Sequence, residues 1–281
     1  MITGKTTVVG LIGDPVEHSL SPLMHNAAFL DLGIDYVYVP HLVAKEDLEN
    51  SIKGALSLNI KGLNVTIPHK TAVIEFVDEL DKSSQLIGAV NTLKFEDNII
   101  KGFNTDGIGL VRALEEVTNV KDKKVVITGA GGAARAAAFG MFLEGAGSMV
   151  IANRTVDNAI NLRNDLFNTF KSDVMAIDLG SQLKKELKDA DILIDTTPIG
   201  MFPNIDENPI VNSKYMHSDL MVFDMVYNPL NTRLLREAEK AGAKPVSGIK
   251  MLIYQGIESF QIWTGIKPSV ESFENGLKDV L

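Results

Sequence analysis

The sequence predicts an α/β fold of two domains, and three observations lead to this prediction. Strand-like and helix-like patterns alternate over the first hundred residues. A glycine-rich turn between an apolar run and an alanine-rich stretch then opens a second alternation at Lys124. Two helical patterns with no further strand close the chain. Because 281 residues suffice for two modest domains, we expect one α/β domain ahead of the glycine turn and another around it.

The first domain alternates strands and helices in order. Strand character is found over residues 7–12, 36–40, 62–67, 90–95 and 99–103. Helical spacing of apolar residues, or a short helical turn, is found over residues 22–32, 45–58, 84–86 and 105–117. Ser21 and Pro22 are a favourable N-cap and first helical residue, so we expect Ser21 to cap the first helix.

The second domain repeats the alternation and predicts a doubly wound parallel sheet. Its strands are expected over residues 125–127, 148–152, 174–177, 191–195, 221–225 and 244–246. Its helices are expected over residues 133–143, 156–170, 182–187 and 231–241. Two closing helices, over 250–264 and 269–280, are not followed by another strand, so we expect them to pack on the first domain. The expected division is 1–106 plus 250–281 against 107–249.

Composition excludes several classes of function. The net charge of −9 argues against nucleic acid or an anionic membrane surface as a partner. The absence of cysteine excludes disulfides, thiolate metal sites and a cysteine nucleophile. None of the five histidines has paired metal-ligand spacing, so we expect no metal site. We expect a cytoplasmic protein, because no apolar run reaches the length of a membrane span and no signal-peptide pattern is present.

The glycine turn has the pattern of a dinucleotide-binding loop. It follows an apolar strand and opens a helix, which is the context in which a Gly-x-Gly-x-x-Ala match is informative. Gly129 permits the tight turn, Gly131 lets a pyrophosphate approach the backbone, and Ala134 keeps the helix close to the strand. The helix N-terminus then offers N–H groups to phosphates. The sequence therefore predicts a Rossmann-type domain.

The end of the following strand favours NADP over NAD. A Rossmann unit that binds NAD usually places an Asp or Glu there to bond the ribose 2′-hydroxyl. This sequence has Asn153, Arg154 and Thr155 instead. Arg154 can stack on adenine and form a charge-assisted bond with a 2′-phosphate. An arginine at a helix start opposes the helix dipole, so a purely structural role is less well supported.

Polar residues at the end of the third strand predict a site in the first domain. Asn64 and Thr66 share one face of the strand, and Lys70 follows it. Asp106 lies in a second polar loop, where a helix N-cap is its alternative role. If the fold brings Lys70 and Asp106 together, they form a proton-transfer pair.

Other polar residues leave two interpretations open. Ser19 and Ser21 suit a substrate carboxylate or hydroxyls, or they cap a loop. Gln255 lies on an otherwise apolar helix and needs a partner, either a substrate or a structural hydrogen bond. His18 and His25 are expected to orient loops or helices rather than to catalyse.

Nine motifs together resemble those of the shikimate dehydrogenase family, in the family's order and over essentially the whole chain. The most distinctive is Asn64-Val-Thr-Ile-Pro-His-Lys70, which is similar to the family's catalytic-lysine motif. The full set covers residues 13–26, 64–70, 88–92, 102–107, 129–133, 153–155, 198–201, 224–229 and 248–252. There are two departures: Asp195 stands where many relatives have Asn, and Ser247 where relatives often have Asp or Asn.

The resemblance implies reversible, NADP(H)-dependent reduction of 3-dehydroshikimate to shikimate, by a monomer or homodimer with an interdomain cleft. Lys70 and Asp106 match the catalytic pair. The implied substrate contacts are Ser19, Ser21, Asn64, Thr66, Asn91, Tyr227 and Gln255. The implied cofactor contacts are Gly129, Ala130, Gly131, Gly132, Ala133, Asn153, Arg154, Thr155, Met225 and Gly248.

Two alternatives stay open. One is a quinate/shikimate dehydrogenase that uses NAD, against which the absence of an acid at residues 153–155 argues. The other is a non-catalytic NADP-sensing module, against which the presence of both Lys70 and Asp106 argues.

Overall fold

The computed structural model describes residues 2–278 and 280, which form two compact units. Unit 1 holds the chain up to Gly109 and from Leu252 onward, and unit 2 holds Leu110–Met251. The division falls inside two continuous helices, a few residues after the positions expected from the sequence, 106 and 249. Among the described residues, no helix combines the length and the apolar character needed to cross a membrane.

Unit 1 contains a six-stranded mixed sheet. Its strands are β1 (Thr7–Gly13), β2 (Tyr36–Leu42), β3 (Gly62–Val65), β4 (Glu79–Leu80), β5 (Thr92–Glu96) and β6 (Ile99–Phe103). Their order across the sheet is β2-β1-β3-β5-β6-β4. β1 is parallel to both of its neighbours. β5 is antiparallel to β6 because a hairpin joins them directly, with Asp97 and Asn98 at positive φ as such a tight turn requires.

Four helices follow strands of unit 1 or lead out of it. They are α1 (Ser21–Asp31), α2 (Leu48–Ser57), α3 (Lys82–Ile87) and α4 (Asp106–Glu115). α3 is short but firmly capped, because the Asp81 carboxylate accepts the backbone N–H groups of Ser83 and Ser84. The expectation that Ser21 caps α1 is wrong. Leu20 precedes the helix with a nearly helical backbone, so Ser21 is the first helical residue and no side chain caps it.

Unit 2 contains a six-stranded, fully parallel sheet. Its strands are β7 (Lys124–Thr128), β8 (Ser148–Ala152), β9 (Asp173–Ile177), β10 (Ile192–Asp195), β11 (Met221–Asp224) and β12 (Lys244–Ser247). Their order is β12-β11-β10-β7-β8-β9, so the strand order reverses at the β7–β10 pair, where doubly wound sheets bind ligands. The helices are α5 (Gly132–Leu143), α6 (Val156–Phe170), α7 (Ser181–Glu186) and α8 (Arg233–Ala241). The predicted α/β class with a Rossmann-type unit is confirmed.

Each sheet is covered by apolar side chains. In unit 1, Ile52 of α2 packs with Leu63 and Leu93 on adjacent strands. In unit 2, Leu234 of α8 packs on the central strands with Leu193. All five side chains are almost completely buried, as expected of a close-packed core.

The closing helices, α9 (Ile249–Thr264) and α10 (Val270–Asn275), complete unit 1. Trp263 Nε1 donates to the Leu93 carbonyl oxygen at 2.9 Å and ties α9 to β5. α10 packs on α1, where the Phe273 ring centroid lies 5.0 Å from that of His25. The last helix was expected over 269–280 but ends at Asn275, because the chain turns at Gly276. Asp279, within the expected range, lies outside the described residues.

Candidate active site

Lys70 is held by a loop that is fixed on both sides. The adjacent residue His69 is buried, and its Nε2 lies 2.7 Å from the Val43 carbonyl oxygen. The Lys70 carbonyl oxygen accepts the Val90 N–H at 2.7 Å. The Lys70 side chain remains 26% exposed, so its Nζ is anchored and still reachable. The sequence did not identify His69 as a positioning residue, although it stands within the quoted motif.

The structure brings Lys70 and Asp106 together. Lys70 Nζ lies 2.6 Å from Asp106 Oδ2. Asp106 is the first residue of α4 and therefore lies inside the helix rather than at its N-cap, and its N–H donates to Asn104 Oδ1 at 3.1 Å. The Asp106 side chain is thereby freed from the N-cap role considered for it from the sequence. A carboxylate at the first turn of a helix is also stabilised by the helix dipole.

Asn91 fixes the other side of the Asp106 carboxylate. Its Nδ2 donates to Asp106 Oδ1 at 2.8 Å and to Thr105 Oγ1 at 2.9 Å. Its Oδ1 accepts the Thr105 backbone N–H at 2.9 Å. Because that N–H can only donate, it sets which end of the amide faces Asp106. Asn91 was expected to contact substrate, and the structure places it directly on the candidate catalytic carboxylate.

Asn64 is the centre of a buried polar cluster beside this pair. Its Oδ1 accepts the Tyr38 hydroxyl at 2.8 Å, and its Nδ2 lies 3.2 Å from the Asn91 carbonyl oxygen, 3.1 Å from Thr92 Oγ1 and 3.0 Å from Ser259 Oγ. The sequence did not identify Tyr38, Thr92 or Ser259. One signal was available for Ser259: it stands four residues after Gln255 and so lies on the same helical face.

The remaining candidate substrate residues of unit 1 lie in loops, at the start of α1 or on α9. The Ser21 N–H donates to Ser19 Oγ at 3.3 Å, so these two serines are adjacent. Thr66 follows β3 and is half-buried, with its N–H bonded to the Ile12 carbonyl oxygen. Gln255 Nε2 donates to the Leu252 carbonyl oxygen at 2.8 Å, which is a structural bond within its own helix. Within the described chain, none of these four bonds to Lys70 or Asp106.

The glycine loop of unit 2 fits a dinucleotide. Gly129 has φ +106°, and a Cβ there would lie 2.2 Å from Thr196 Oγ1, so only glycine fits. α5 begins at Gly132 without a side-chain cap, which leaves its first N–H groups for a ligand. A Cβ at Gly131 or Gly132 would meet nothing within 4 Å, so space is open beside these groups. Ala130 completes the loop, and Ala133 is the second residue of α5.

The end of β8 carries no acidic side chain that would repel a 2′-phosphate. Asn153 Nδ2 donates to the Thr155 carbonyl oxygen at 2.9 Å, which shapes the turn into α6. Arg154 is exposed at this turn. The donor set therefore fits NADP, whose extra phosphate needs a cation and no neighbouring carboxylate.

Met225, Tyr227 and Gly248 lie at the carboxyl ends of β11 and β12. The Met225 N–H donates to the Asp195 carbonyl oxygen at 3.0 Å. A Cβ on Gly248 would lie 2.5 Å from the Met225 carbonyl oxygen, so the two backbones touch. Tyr227 is half-buried, and burial raises the pKa of its hydroxyl, which keeps the group protonated as a hydrogen-bond donor.

Two buried carboxyl groups underlie this edge of unit 2. Asp195 and Asp224 are register partners on β10 and β11. Burial raises the pKa of Asp195, and burial together with the charge of Asp195 raises the pKa of Asp224 to about 7. Each accepts a backbone N–H two residues ahead, from Thr197 and Val226 respectively. No group of three or more His, Asp or Glu side chains in the described part of the chain could hold a metal ion.

Comparison with known proteins places the chain in a family. Residues 11–93 match the shikimate dehydrogenase substrate binding domain, residues 112–230 the shikimate/quinate 5-dehydrogenase domain, and residues 248–275 the shikimate 5′-dehydrogenase C-terminal domain. The shikimate dehydrogenase (NADP(+)) of Methanobrevibacter smithii is 54% identical over 281 residues, covering 100% of this chain and 99% of the relative.

Two further relatives agree with this placement. The shikimate dehydrogenase (NADP(+)) of Methanopyrus kandleri is 56% identical, covering 96% of this chain and 94% of the relative. A crystal structure of a shikimate dehydrogenase in complex with NADP+ is 50% identical, with a TM-score of 0.94, covering 99% of this chain and 97% of that one. This chain belongs to the shikimate dehydrogenase family.

Proposed function

We propose that this chain catalyses the reversible, NADP(H)-dependent reduction of 3-dehydroshikimate to shikimate, a step in aromatic amino-acid biosynthesis. The observation that carries the proposal is the 2.6 Å contact between Lys70 Nζ and Asp106 Oδ2, in a chain whose relatives are NADP-dependent shikimate dehydrogenases. A lysine and an aspartate in contact can hold and transfer one proton, which is what carbonyl reduction requires of the protein.

We assign the proton transfer to Lys70. Negative charge develops on the C3 oxygen as the carbonyl is reduced, and the Lys70 ammonium stabilises that charge and donates a proton there. Asp106 holds the ammonium in place through Oδ2, while Asn91 holds Asp106 through Oδ1. In the oxidation direction the same amine accepts the proton from the C3 hydroxyl. Bound NADPH supplies the hydride chemistry.

The cofactor contacts are assigned to three segments of unit 2. The residues from Gly129 to Ala133 offer the N–H groups at the start of α5 to the pyrophosphate. Asn153, Arg154 and Thr155 form the turn that receives the adenosine, with Arg154 against the 2′-phosphate. Met225 and Gly248, whose backbones touch, border the nicotinamide side.

Substrate binding is assigned to polar residues without a net charge. The adjacent hydroxyls of Ser19 and Ser21 are proposed to bind the carboxylate. The ring hydroxyls and the C3 oxygen are assigned to Asn64, Thr66, Asn91, Tyr227 and Gln255. The negative charge of the whole chain does not oppose an anionic substrate, because these side chains are neutral and Lys70 supplies a local cation.

A steady-state assay tests the proposal. Nicotinamide absorbance is followed after the purified chain is mixed with shikimate or quinate and with NADP or NAD. We expect the highest kcat/KM with shikimate and NADP. Preferred turnover of quinate with NAD would support the quinate dehydrogenase alternative instead. NADPH binding without turnover of any combination would support a sensing module.

A further inference from the structure

The closing helix α9 places one hydroxyl among three elements of the catalytic unit. Ser259 is completely buried. Its Oγ lies 3.0 Å from Asn64 Nδ2, 2.8 Å from Thr92 Oγ1 and 3.3 Å from Thr105 Oγ1. Asn64 belongs to β3, Thr92 to β5, and Thr105 immediately precedes α4. Ser259, 154 positions along the chain from Thr105, therefore joins the strand before the Lys70 loop, a neighbouring strand and the residue before α4.

Two paths of close polar contacts lead from Ser259 to Asn91. In the first, Thr105 Oγ1 contacts Ser259 Oγ and accepts from Asn91 Nδ2 at 2.9 Å. In the second, Thr92 Oγ1 contacts Ser259 Oγ and donates to Asn91 Oδ1 at 3.0 Å. Asn91 in turn donates to Asp106 Oδ1. Both ends of the Asn91 amide are thus set by hydroxyls that contact Ser259.

The number of hydroxyl protons decides which groups donate to Ser259 and which accept from it. Ser259 has one hydroxyl proton, which can go to the Gln255 carbonyl oxygen at 3.0 Å within the helix. Its oxygen is then free to accept from Asn64 and from Thr105, because the hydroxyl proton of Thr92 is donated to Asn91 Oδ1. If the hydroxyl is removed, these donors lose a buried acceptor and must find new partners. The nearest group that can shift is the Asn91 amide, which both threonine hydroxyls contact and whose Oδ1 stays bonded to the Thr105 N–H.

We propose that Ser259 is a positioning residue, which acts through Thr105 and Thr92 to keep the Asn91 amide directed at Asp106. The inference rests on the proposed function, because it assigns Asp106 to the reaction. A displaced Asn91 holds Asp106 less firmly, and Asp106 in turn no longer holds Lys70 in line with the C3 oxygen. Because transition-state geometry is sensitive to small displacements, the effect falls on turnover.

The test compares two buried serines of unit 1. In Ser259→Ala, we expect kcat for shikimate oxidation to fall about tenfold, since a displacement well below 1 Å misaligns the pair. The KM for NADP is expected to stay within about twofold, because Ser259 touches no residue of the glycine loop. Ser272→Ala is the matched control. Ser272 is buried in α10 and bonds to Asp31 and Ser269, neither of which reaches the catalytic pair.

A double-mutant cycle separates positioning from packing. Thr105→Val removes the hydroxyl on the first path while keeping the shape of the side chain. We expect the effects of Ser259→Ala and Thr105→Val on kcat to be clearly less than additive, because both act on Asn91. The thermal midpoint of each variant is measured in parallel to correct for stability.

Two outcomes would overturn the inference. One is a Ser259→Ala variant with the kcat of Ser272→Ala at a similar loss of stability. The other is full additivity in the cycle. The wild-type rate measured in the same series tests the proposed function separately: a wild-type chain that does not oxidise shikimate overturns that function and this inference with it, whereas an active wild type with an unimpaired variant overturns the inference alone.

Discussion

Lys70 Nζ lies 2.6 Å from Asp106 Oδ2, while Asn91 Nδ2 lies 2.8 Å from the other oxygen of the same carboxylate. Both carboxylate oxygens are therefore engaged, and the direction in which Asp106 presents its charge is fixed. The Lys70 side chain is the more exposed of the pair, at 26% against 9%. The arrangement is that of an anchored acid residue and a reachable amine, as proton delivery to a substrate requires.

Removal of the amine should abolish most of the turnover. In Lys70→Ala we expect kcat to fall by about 10²- to 10⁴-fold, the usual contribution of a positioned proton donor. Shikimate should still bind, because the polar cluster around Asn64 is retained. Turnover is measured by nicotinamide absorbance and binding by calorimetry.

The matched control for that variant is Lys53→Ala, which removes an exposed lysine that pairs with Glu49 on the surface of α2. It should keep wild-type kinetics, because surface pairs of this kind contribute little. An unchanged rate in Lys70→Ala would remove Lys70 from the mechanism.

Arg154 should discriminate between the two nicotinamide cofactors. In Arg154→Ala we expect the Kd for NADPH to rise about tenfold or more, because a charge-assisted bond to the 2′-phosphate is lost. The Kd for NADH should change by less than about threefold, since NADH lacks that phosphate. Fluorescence titration measures both constants. Arg236→Ala, which removes an exposed arginine bonded to the Asn231 carbonyl oxygen, serves as the control. If the Kd values for NADPH and NADH rose equally, Arg154 would not be the residue that binds the 2′-phosphate.

The Asp195–Asp224 pair should make the protein less stable as pH rises. Burial raises the pKa of Asp224 to about 7, so its carboxyl group stays protonated in the fold at pH values where the unfolded chain releases the proton. The resulting decrease in the free energy of unfolding is absent below pH ~4 and complete above pH ~7, where it approaches ~4 kcal/mol.

Asp195→Asn should therefore raise the free energy of unfolding at pH 8 and have little effect at pH 4. The substitution removes one buried carboxyl group together with its repulsion of the other. Urea denaturation at both pH values measures the difference. Asp178→Asn is the control, since Asp178 forms the same kind of turn, accepting the Gly180 N–H, but is exposed. A stabilisation of equal size at both pH values would contradict the charge-based explanation.

His25 should make the protein sensitive to acid. It is completely buried, its two ring nitrogens have no hydrogen-bond partner among the residues that the structure describes, and its ring stacks on Tyr38 at 4.5 Å. Burial lowers its pKa from 6.5 to about 3. The ring is neutral in both states above pH 6.5, so no stability is lost there. Between pH 6.5 and 3 the His25 side chain is protonated in the unfolded chain but not in the folded one. This difference lowers the free energy of unfolding by up to ~5 kcal/mol.

His25→Phe keeps an aromatic ring in this position and removes the titrating group. The variant should lose less stability than the wild type when the pH is lowered from 7 to 5, as measured by urea midpoints at the two values. Identical losses in both proteins would assign the acid sensitivity to other groups.

The glycine loop and the residue types of the site were predictable because they depend on local chemistry. The strand before Gly129, the helix after it and the absence of an acid at residues 153–155 can all be recognised from neighbouring residues. The strand and helix order of both units also follows from local periodicity, although the mixed pairing of the first sheet does not. The N-cap expected at Ser21 failed because Leu20 already has a nearly helical backbone, which residue type alone does not indicate.

Sequence by itself determined the fold class, the Rossmann-type unit and the candidate residues Lys70 and Asp106. Only the tertiary structure decided how they are held, because the supporting contacts join residues far apart in the chain. Ser259 reaches Asn64 across 195 positions, and Asp195 meets Asp224 only when two parallel strands pair. Buried hydroxyl, amide and carboxyl groups gain their roles from the partners that folding brings to them, and no local pattern reports those partners.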